Sequence, residues 1–490
     1  MWRRRRVMTS DSGRAPAGSL DVVAIREHFD FTRTGRVVTN NAATTQPPRE
    51  LLDLHRGLVA TYENVHRGQS SASRRTTELF EESYATIAAW LNAPGRRTIA
   101  TYRNATEAIN AVMYSLLTEF RDGDNVVTTM MEHNSDFVPW YGLCREILPR
   151  FGRHVECRVA RFDHVTGRLD LDHLAGLVDH RTKLVACTGA SNFLGTKPPL
   201  DVVRAIADGS GYQQPTGETR SLLLVDAAQL VPTTAVDVQG LDVDYLAFSF
   251  HKLLAPFGVG VLYAKEHLLA HGRPFLYGGD MIAEGQVAPD HVEYNDLPWK
   301  YAAGTPNILG VIVSAQALRL MLDLALDGAS PPWFGTSRPI PREAVQAAMR
   351  RIGDHTRRLT EQAVAGLREI DGLTLYGPPD AAERSPLVAF TVAGTDPMAI
   401  AAGLDRLGVE SRAGCHCATL AHRDLGLDPP ASCRLSFALY TSTQDVERAL
   451  GALRVVLRAR ASRRPGRSAP PSRTSTDHEP TPAAGRAAHS

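Results

Sequence analysis

Short apolar runs alternate with amphipathic stretches through most of the chain. The runs at 98–102, 125–129, 184–188, 222–225, 245–248 and 258–263 are too short for buried helices and predict strands. Helical periodicity follows several of them, for instance at 106–117 and 200–207. Strands that alternate with helices predict an α/β domain with a largely parallel sheet. From 343 a long helical pattern leads to apolar runs at 373–376 and 387–392 and a helix at 399–407, which reads as a smaller α+β domain. The expected layout is a large domain over 20–322 that includes the N-terminal segment, an inserted loop at 323–345, and a small domain over 346–457. Segments 1–19 and 458–490 lack periodicity and are expected to be disordered. Two polar loops stand out, at 208–220 and 327–342. The second sets Trp333 and Phe334 among prolines and glycines, and reads as a lid, a docking loop or a plain insertion.

Charge changes this picture little. The net formal charge is +1, but residues 1–19 carry +4 and residues 458–490 carry +5, which leaves the body at −8. A nucleic-acid face across the fold is therefore not expected. The start Met1-Trp-Arg-Arg-Arg-Arg6 has no apolar stretch behind it, so it does not read as a secretory signal. No continuous apolar run approaches the roughly 20 residues of a membrane span. Six cysteines are too sparse for a disulfide scaffold at this length, and a reducing cytoplasm is the expected compartment.

The candidate chemistry lies at the ends of the predicted strands. Lys252 is one of five lysines and follows Ser249-Phe250-His251 at the end of an apolar run. A lysine there can form a Schiff base with pyridoxal phosphate, while the hydroxyl and imidazole beside it bind the phosphate. Asp226 closes the run at 222–225 with Gln229 three residues on, and a carboxylate there can keep a pyridine nitrogen protonated; capping of the next helix explains it equally. Thr106 opens a helix after a strand, where backbone N–H groups and its hydroxyl can hold an anion, although Asn104 and Glu107 also read as an ordinary cap. His133 and Asn192 occupy equivalent strand ends, as a ring-stacking imidazole and an amide, or as plain loop residues. Further on, Arg412-Ala-Gly-Cys415-His-Cys417-Ala418 places a thiol on a Gly-containing loop beside Arg and His, the setting of a nucleophile. No second Cys/His pair follows at zinc spacing, so no metal is expected. Arg434 precedes a buried run and can fork onto a carboxylate or form a structural ion pair.

These residues, in this order, resemble the class V aminotransferase family, and most closely the Suf-type (group II) cysteine desulfurases and selenocysteine lyases. The resemblance spans about residues 36–456 and includes Asn64-Val-His-Arg-Gly68, Asn104-Ala-Thr-Glu107, Met131-Glu-His133, Val225-Asp-Ala-Ala-Gln229, Ser249-Phe-His-Lys252 and Ala303-Gly-Thr-Pro-Asn307. It implies a fold-type I enzyme with a mostly parallel seven-stranded sheet, pyridoxal 5′-phosphate as cofactor, and a homodimer with shared active sites. Lys252 is then the Schiff-base lysine and Asp226 the partner of the pyridine nitrogen. Gln229 and Asn192 approach the phenolic oxygen, and His133 stacks on the ring. Ala105, Thr106, Ser249 and His251 hold the phosphate, with Thr305 doing so from the other subunit. Arg434 takes the substrate carboxylate, and Cys417 receives sulfur from L-cysteine as a persulfide for delivery to an acceptor such as a protein. A selenocysteine lyase, a C–S lyase or an amino-acid epimerase of the same family shares Lys252 and Asp226 without needing Cys417. The chain departs from the pattern at Cys415, where the group usually has His, at Ser70 and at Phe250.

Overall fold

In a computed structural model, residues 19–327 and 331–461 are described. The terminal extensions expected to be disordered lie almost wholly outside these residues. The large sheet has seven strands: β1 Ile99–Tyr102, β2 Asn125–Thr129, β3 Glu156–Ala160, β4 Thr182–Thr188, β5 Leu222–Asp226, β6 Tyr245–Ser249 and β7 Gly260–Ala264. Their order is β1-β7-β6-β5-β4-β2-β3, and β7 alone runs against the others. Strands β2, β4, β5, β6 and β7 are buried along their whole length, which is why they read as unbroken apolar runs. Successive side chains still serve opposite faces: Val127, Val185, Leu223 and Leu246 join one core, and Val126, Leu184, Leu224 and Ala247 the other. Strand β3, with sequence ECRVA, was not expected; it is an edge strand whose Glu156 faces solvent, and such charges obscure the strand pattern.

The C-terminal sheet is antiparallel. Its strands β8 Leu373–Tyr376, β9 Leu387–Val392, β10 Arg412–Gly414 and β11 Ser432–Ser436 lie in the order β8-β9-β11-β10. Residues 37–41, grouped with the large domain on sequence, attach beside this sheet instead, in a two-stranded pair with residues 409–410 and through a bridge from Asn40 to Ser436 in β11. Val37 and Val38 align with Val409 and Glu410, and Asn41 Nδ2 donates to Ser436 O at 2.8 Å. The inserted loop is shorter than its expected bounds, because the helices Ile308–Ala325 and Arg342–Arg368 extend into it from both sides. It is not a free lid. Trp333 is buried, its backbone N–H and that of Phe334 donate to Asp323 at 2.8 and 2.9 Å, and Arg338 stacks 3.5 Å from its ring centre. Helix Ile308–Ala325 has the length and apolarity of a membrane span, but 83% of it is buried against the helices Ser71–Trp90 and Arg342–Arg368, as in a core helix.

Two buried acidic groups fix the strands that carry the site. Asp244, just before β6, accepts from Arg204 Nη1 (2.7 Å), Leu223 N (2.8 Å), Lys265 Nζ (2.9 Å) and Arg220 Nη2 (3.1 Å). It thereby ties β5, β6 and β7 at one end of the sheet. At the other end Glu132 accepts from Thr129 Oγ1 (2.7 Å) and Thr188 N (2.9 Å), and Asp136 from Trp140 Nε1 (3.1 Å). The remaining oxygens, Glu132 Oε2 and Asp136 Oδ2, are buried and meet no donor, and the two carboxyls lie close enough for each to shift the other's proton affinity. Two buried carboxylates cannot face one another without a proton between them. Burial accordingly pushes Glu132 up to about 8 and Asp136 well above the carboxylate range.

Asp244→Ala leaves the buried Leu223 N–H without its acceptor and takes one carboxylate from Arg204, Arg220 and Lys265, which keep Asp208 and Asp242, so urea denaturation should show a loss of about 1–3 kcal/mol. The shared proton gives a second expectation. Since the folded value exceeds the unfolded one, its stabilisation is complete in acid and is lost as pH rises, by about 1.4 kcal/mol per pH unit for one proton. For Glu132 that loss is finished once pH passes its value near 8. Asp136→Asn removes one of the two raised carboxyls and leaves Glu132 buried, so stability measured against pH should show a shallower slope than the parent, not a flat one.

Candidate active site

The ends of β2, β4, β5 and β6 and the turn after β10 enclose one cavity of about 260 Å³. Eleven of the twelve site residues expected from sequence line it: Ala105, Thr106, His133, Asn192, Asp226, Gln229, Ser249, His251, Lys252, Cys417 and Arg434. Thr305 does not; it is exposed and lies outside this chain's own cavity.

Lys252 sits on a single helical turn, Phe250–Lys252, that continues directly from β6. Removal from water lowers its ammonium to about 8, with Asp226 opposing and Arg434 adding to the shift. Among the described residues no acceptor reaches its Nζ. Asp226 ends β5, is 5% exposed, and accepts from Ala228 N at 3.0 Å. Gln229 Nε2 donates to Ala42 O at 2.7 Å. His133 caps the helix Asn134–Gly142 and its Nδ1 accepts from Ser135 N at 3.1 Å, so the ring proton belongs on Nε2. Burial holds the His133 and His251 imidazoles down at about 4, and both are neutral.

Beside them, the helix Ala105–Leu116 starts at the cavity. Asn104 Oδ1 accepts from Glu107 N at 3.0 Å, so the ordinary cap is present, and Asn104, Ala105 and Thr106 line the cavity. Ser249 Oγ accepts from Ala105 N at 2.8 Å, and Thr106 and Ser135 hydroxyls meet at 2.6 Å. Gly260 at the start of β7 makes this approach possible, because a Cβ there would fall 2.3 Å from the Asn104 carbonyl carbon. On the opposite wall Arg434, in β11, is 3% exposed and donates from Nη1 to Asn192 O at 2.7 Å. Its Nε is buried and unpaired, which leaves part of the fork for a ligand. Asn192 Nδ2 donates to His416 O at 2.6 Å, while its Oδ1 is buried without a partner.

Lys252, Arg412 and Arg434 outnumber Asp226 around the cavity. A site with this balance, a helix N-terminus, several hydroxyls and orphaned polar atoms suits a phosphate-bearing aldehyde together with an amino acid carboxylate. Sequence reading did not single out Ser135, Thr188, Ala42 or Ala43, all of which also line the cavity. For Ser135 there was a usable signal, a hydroxyl two residues after His133 at a helix start. Cys417 is exposed on the cavity wall, and its backbone is left-handed with φ 55°.

The family described as aminotransferase class-V matches residues 37–330 and 343–449. A probable cysteine desulfurase of Halobacterium salinarum is 35% identical over 444 residues, covering 89% of this chain and 96% of its own. A cysteine desulfurase of Haloferax volcanii is 35% identical over 436 residues, covering 88% and 92%. Among solved structures, a cysteine desulfurase of Escherichia coli superposes with a TM-score of 0.75 at 28% identity, over 90% of this chain and 99% of that one. One from Thermococcus onnurineus gives 0.77 at 28%, over 92% and 100%. With its strand-end lysine and aspartate in one cavity, the chain belongs to the class V aminotransferases, enzymes dependent on pyridoxal 5′-phosphate.

Proposed function

We propose that this protein is an L-cysteine desulfurase that releases L-alanine and retains the sulfur as a persulfide on Cys417. The observation that carries this reading is an exposed thiol on the wall of the cavity that also holds Lys252, Asp226 and Arg434. Relatives of that name at 35% identity support it. When bound, the cofactor supplies an aldehyde for the substrate amine and a ring that draws electrons from Cα. Lys252 would carry it covalently, and Asp226 would hold a proton on its ring nitrogen. The Ala105 N–H, Thr106, Ser249 and His251 would hold its phosphate, with His133 against the ring and Gln229 and Asn192 near its phenolic oxygen. Thr305, exposed and outside its own cavity, serves the cavity of a second copy in a homodimer. The exposed apolar residues Leu276, Tyr277, Val287 and Val292 nearby in sequence support such a contact.

Arg434 receives the substrate carboxylate on its unpaired edge and so fixes the orientation of Cα. Lys252, with its proton affinity lowered, removes the Cα proton. The Cys417 sulfur then attacks the substrate sulfur. The new S–S bond forms as the substrate Cβ–S bond breaks, and its electron pair stays with Cβ, which takes a proton to become the alanine methyl, while Lys252 returns a proton to Cα. Fixed charges around the cavity stabilise the carbanion without reorganising. A reducing cytoplasm is the compartment in which six unpaired cysteines keep their thiols.

Lys252→Ala should abolish turnover. Cys417→Ala should keep the visible absorbance of bound cofactor while alanine formation falls on the order of 10²-fold or more; ordinary alanine formation in that variant would refute the assignment. Pyruvate or a racemised amino acid as product, with Cys417 unmodified, would place the enzyme in a lyase or epimerase branch. Sedimentation should give twice the 53.3 kDa chain mass.

A further inference from the structure

Two thiols, Cys415 and Cys417, flank a single buried histidine on the turn after β10. The turn is fixed at every carbonyl. Cys415 O accepts from Ala418 N (2.8 Å), His416 O from Asn192 Nδ2 (2.6 Å) and Cys417 O from Asn134 N (2.7 Å). Its two central residues, His416 and Cys417, are both left-handed, with φ 52° and 55°. In a four-residue turn closed by an i to i+3 hydrogen bond, the first and third residues stay well inside the Cα separation of roughly 4.4–6.8 Å that a disulfide needs. Cys417 lines the cavity and Cys415 does not. Cys415 is also the less exposed of the two, so it offers an external carrier no better access than Cys417 does. Its placement suits a thiol that reacts with Cys417 and not one that exports sulfur. The other thiol on this sheet, Cys433, is buried and donates to Pro397 O at 3.2 Å.

From this geometry we infer that Cys415 is a resolving cysteine, which discharges the Cys417 persulfide as hydrosulfide and closes a Cys415–Cys417 disulfide. The inference rests on the desulfurase reading above. The Cys415 thiolate attacks the sulfur of Cys417 itself. The Cys415–Cys417 S–S bond forms as the bond to the outer sulfur breaks, and that sulfur leaves with the electron pair as HS⁻. Cys415 is oxidised from the thiol to the disulfide level, Cys417 stays at the level it reached as a persulfide, the outer sulfur is reduced to the sulfide level, and the Cys415 proton passes to solvent. The disulfide stops further turnover until an external dithiol reductant, by two thiol–disulfide exchanges, restores both thiols. Sulfur therefore leaves as free sulfide, and the enzyme works only as fast as dithiols are supplied.

The test uses the cofactor-loaded enzyme, freed of reductant and given one equivalent of L-cysteine, with alanine and sulfide measured before alkylation and tryptic mapping of peptide 413–423. The wild type should release about one sulfide per alanine and yield this peptide as an internal disulfide, while in Cys415→Ser the sulfide-to-alanine ratio should fall roughly tenfold and the extra sulfur should stay on Cys417. Alanine formed by the wild type with the persulfide intact and no sulfide released would overturn the resolving role and leave the desulfurase reading standing. Absence of alanine would overturn the desulfurase reading, and the resolving step with it.

Discussion

Three hydrogen bonds between the two sheets hold the candidate site together. Asn134 N reaches Cys417 O, Asn192 Nδ2 reaches His416 O, and Arg434 Nη1 reaches Asn192 O. The lysine and aspartate come from strands of the large sheet, whereas the thiol and the arginine come from the small one, so the cavity exists only while this seam is closed. Neutral bonds of this kind contribute about 0.5–1.5 kcal/mol each, and the guanidinium bond about 1.5–3 kcal/mol. Their larger role is positional. They fix the backbone of a reactive turn whose residues have no regular structure of their own.

A second strap runs through the N-terminal segment. After pairing with Val409 and Glu410, the chain passes Asn41, bonded to Ser436 O, and arrives at Thr45, whose N–H and hydroxyl both bond His251 O at 2.8 and 3.0 Å. The same hydroxyl accepts from Leu254 N at 2.8 Å. Leu254 is 1% exposed with φ 66°, a conformation that costs a residue with a side chain about 1–2 kcal/mol. Burial of the leucine and the threonine bonds offset that cost, and the result is a sharp exit from β6 that leaves Lys252 at the cavity. Segment 37–45 thus belongs energetically to both sheets.

This explains which parts were legible in the sequence. Strands β2 and β4 to β7 were readable because burial on both faces demands unbroken apolar runs, and the C-terminal ends of the parallel ones, β2, β4, β5 and β6, point to the site by the geometry of parallel sheets. Strand β3 escaped because an edge strand tolerates Glu156 and Arg158. The pairing of residues 37–41 with the C-terminal sheet is a contact across some 370 residues, and no local pattern encodes it. Trp333 looked like part of a lid because prolines and glycines surround it; what the sequence concealed is the Asp323 carboxylate that gathers its backbone, and Arg338 stacked on its ring. Thr188 enters the cavity through backbone placement, which side-chain chemistry alone does not announce, whereas Ser135 was readable as a hydroxyl at a helix start after His133.

The distribution of protons follows from the same architecture. Asp226 faces the cavity, where Lys252 and Arg434 supply positive charge. Glu132 and Asp136 lie behind it in a space closed to solvent, and each is raised in part by the charge of Asp226. If both ionised, three carboxylates would share one low-dielectric region and would favour a proton on any of them, Asp226 included. By holding a proton between themselves and giving their other oxygens to Thr129, Thr188 and Trp140, the buried pair limits the negative charge behind the cavity to one. The neutral His133 beside Asp226 adds no competing cation. On the proposed reading, a pyridine nitrogen seated against Asp226 would have at most one further negative charge behind that side chain, an arrangement that favours a proton on the nitrogen.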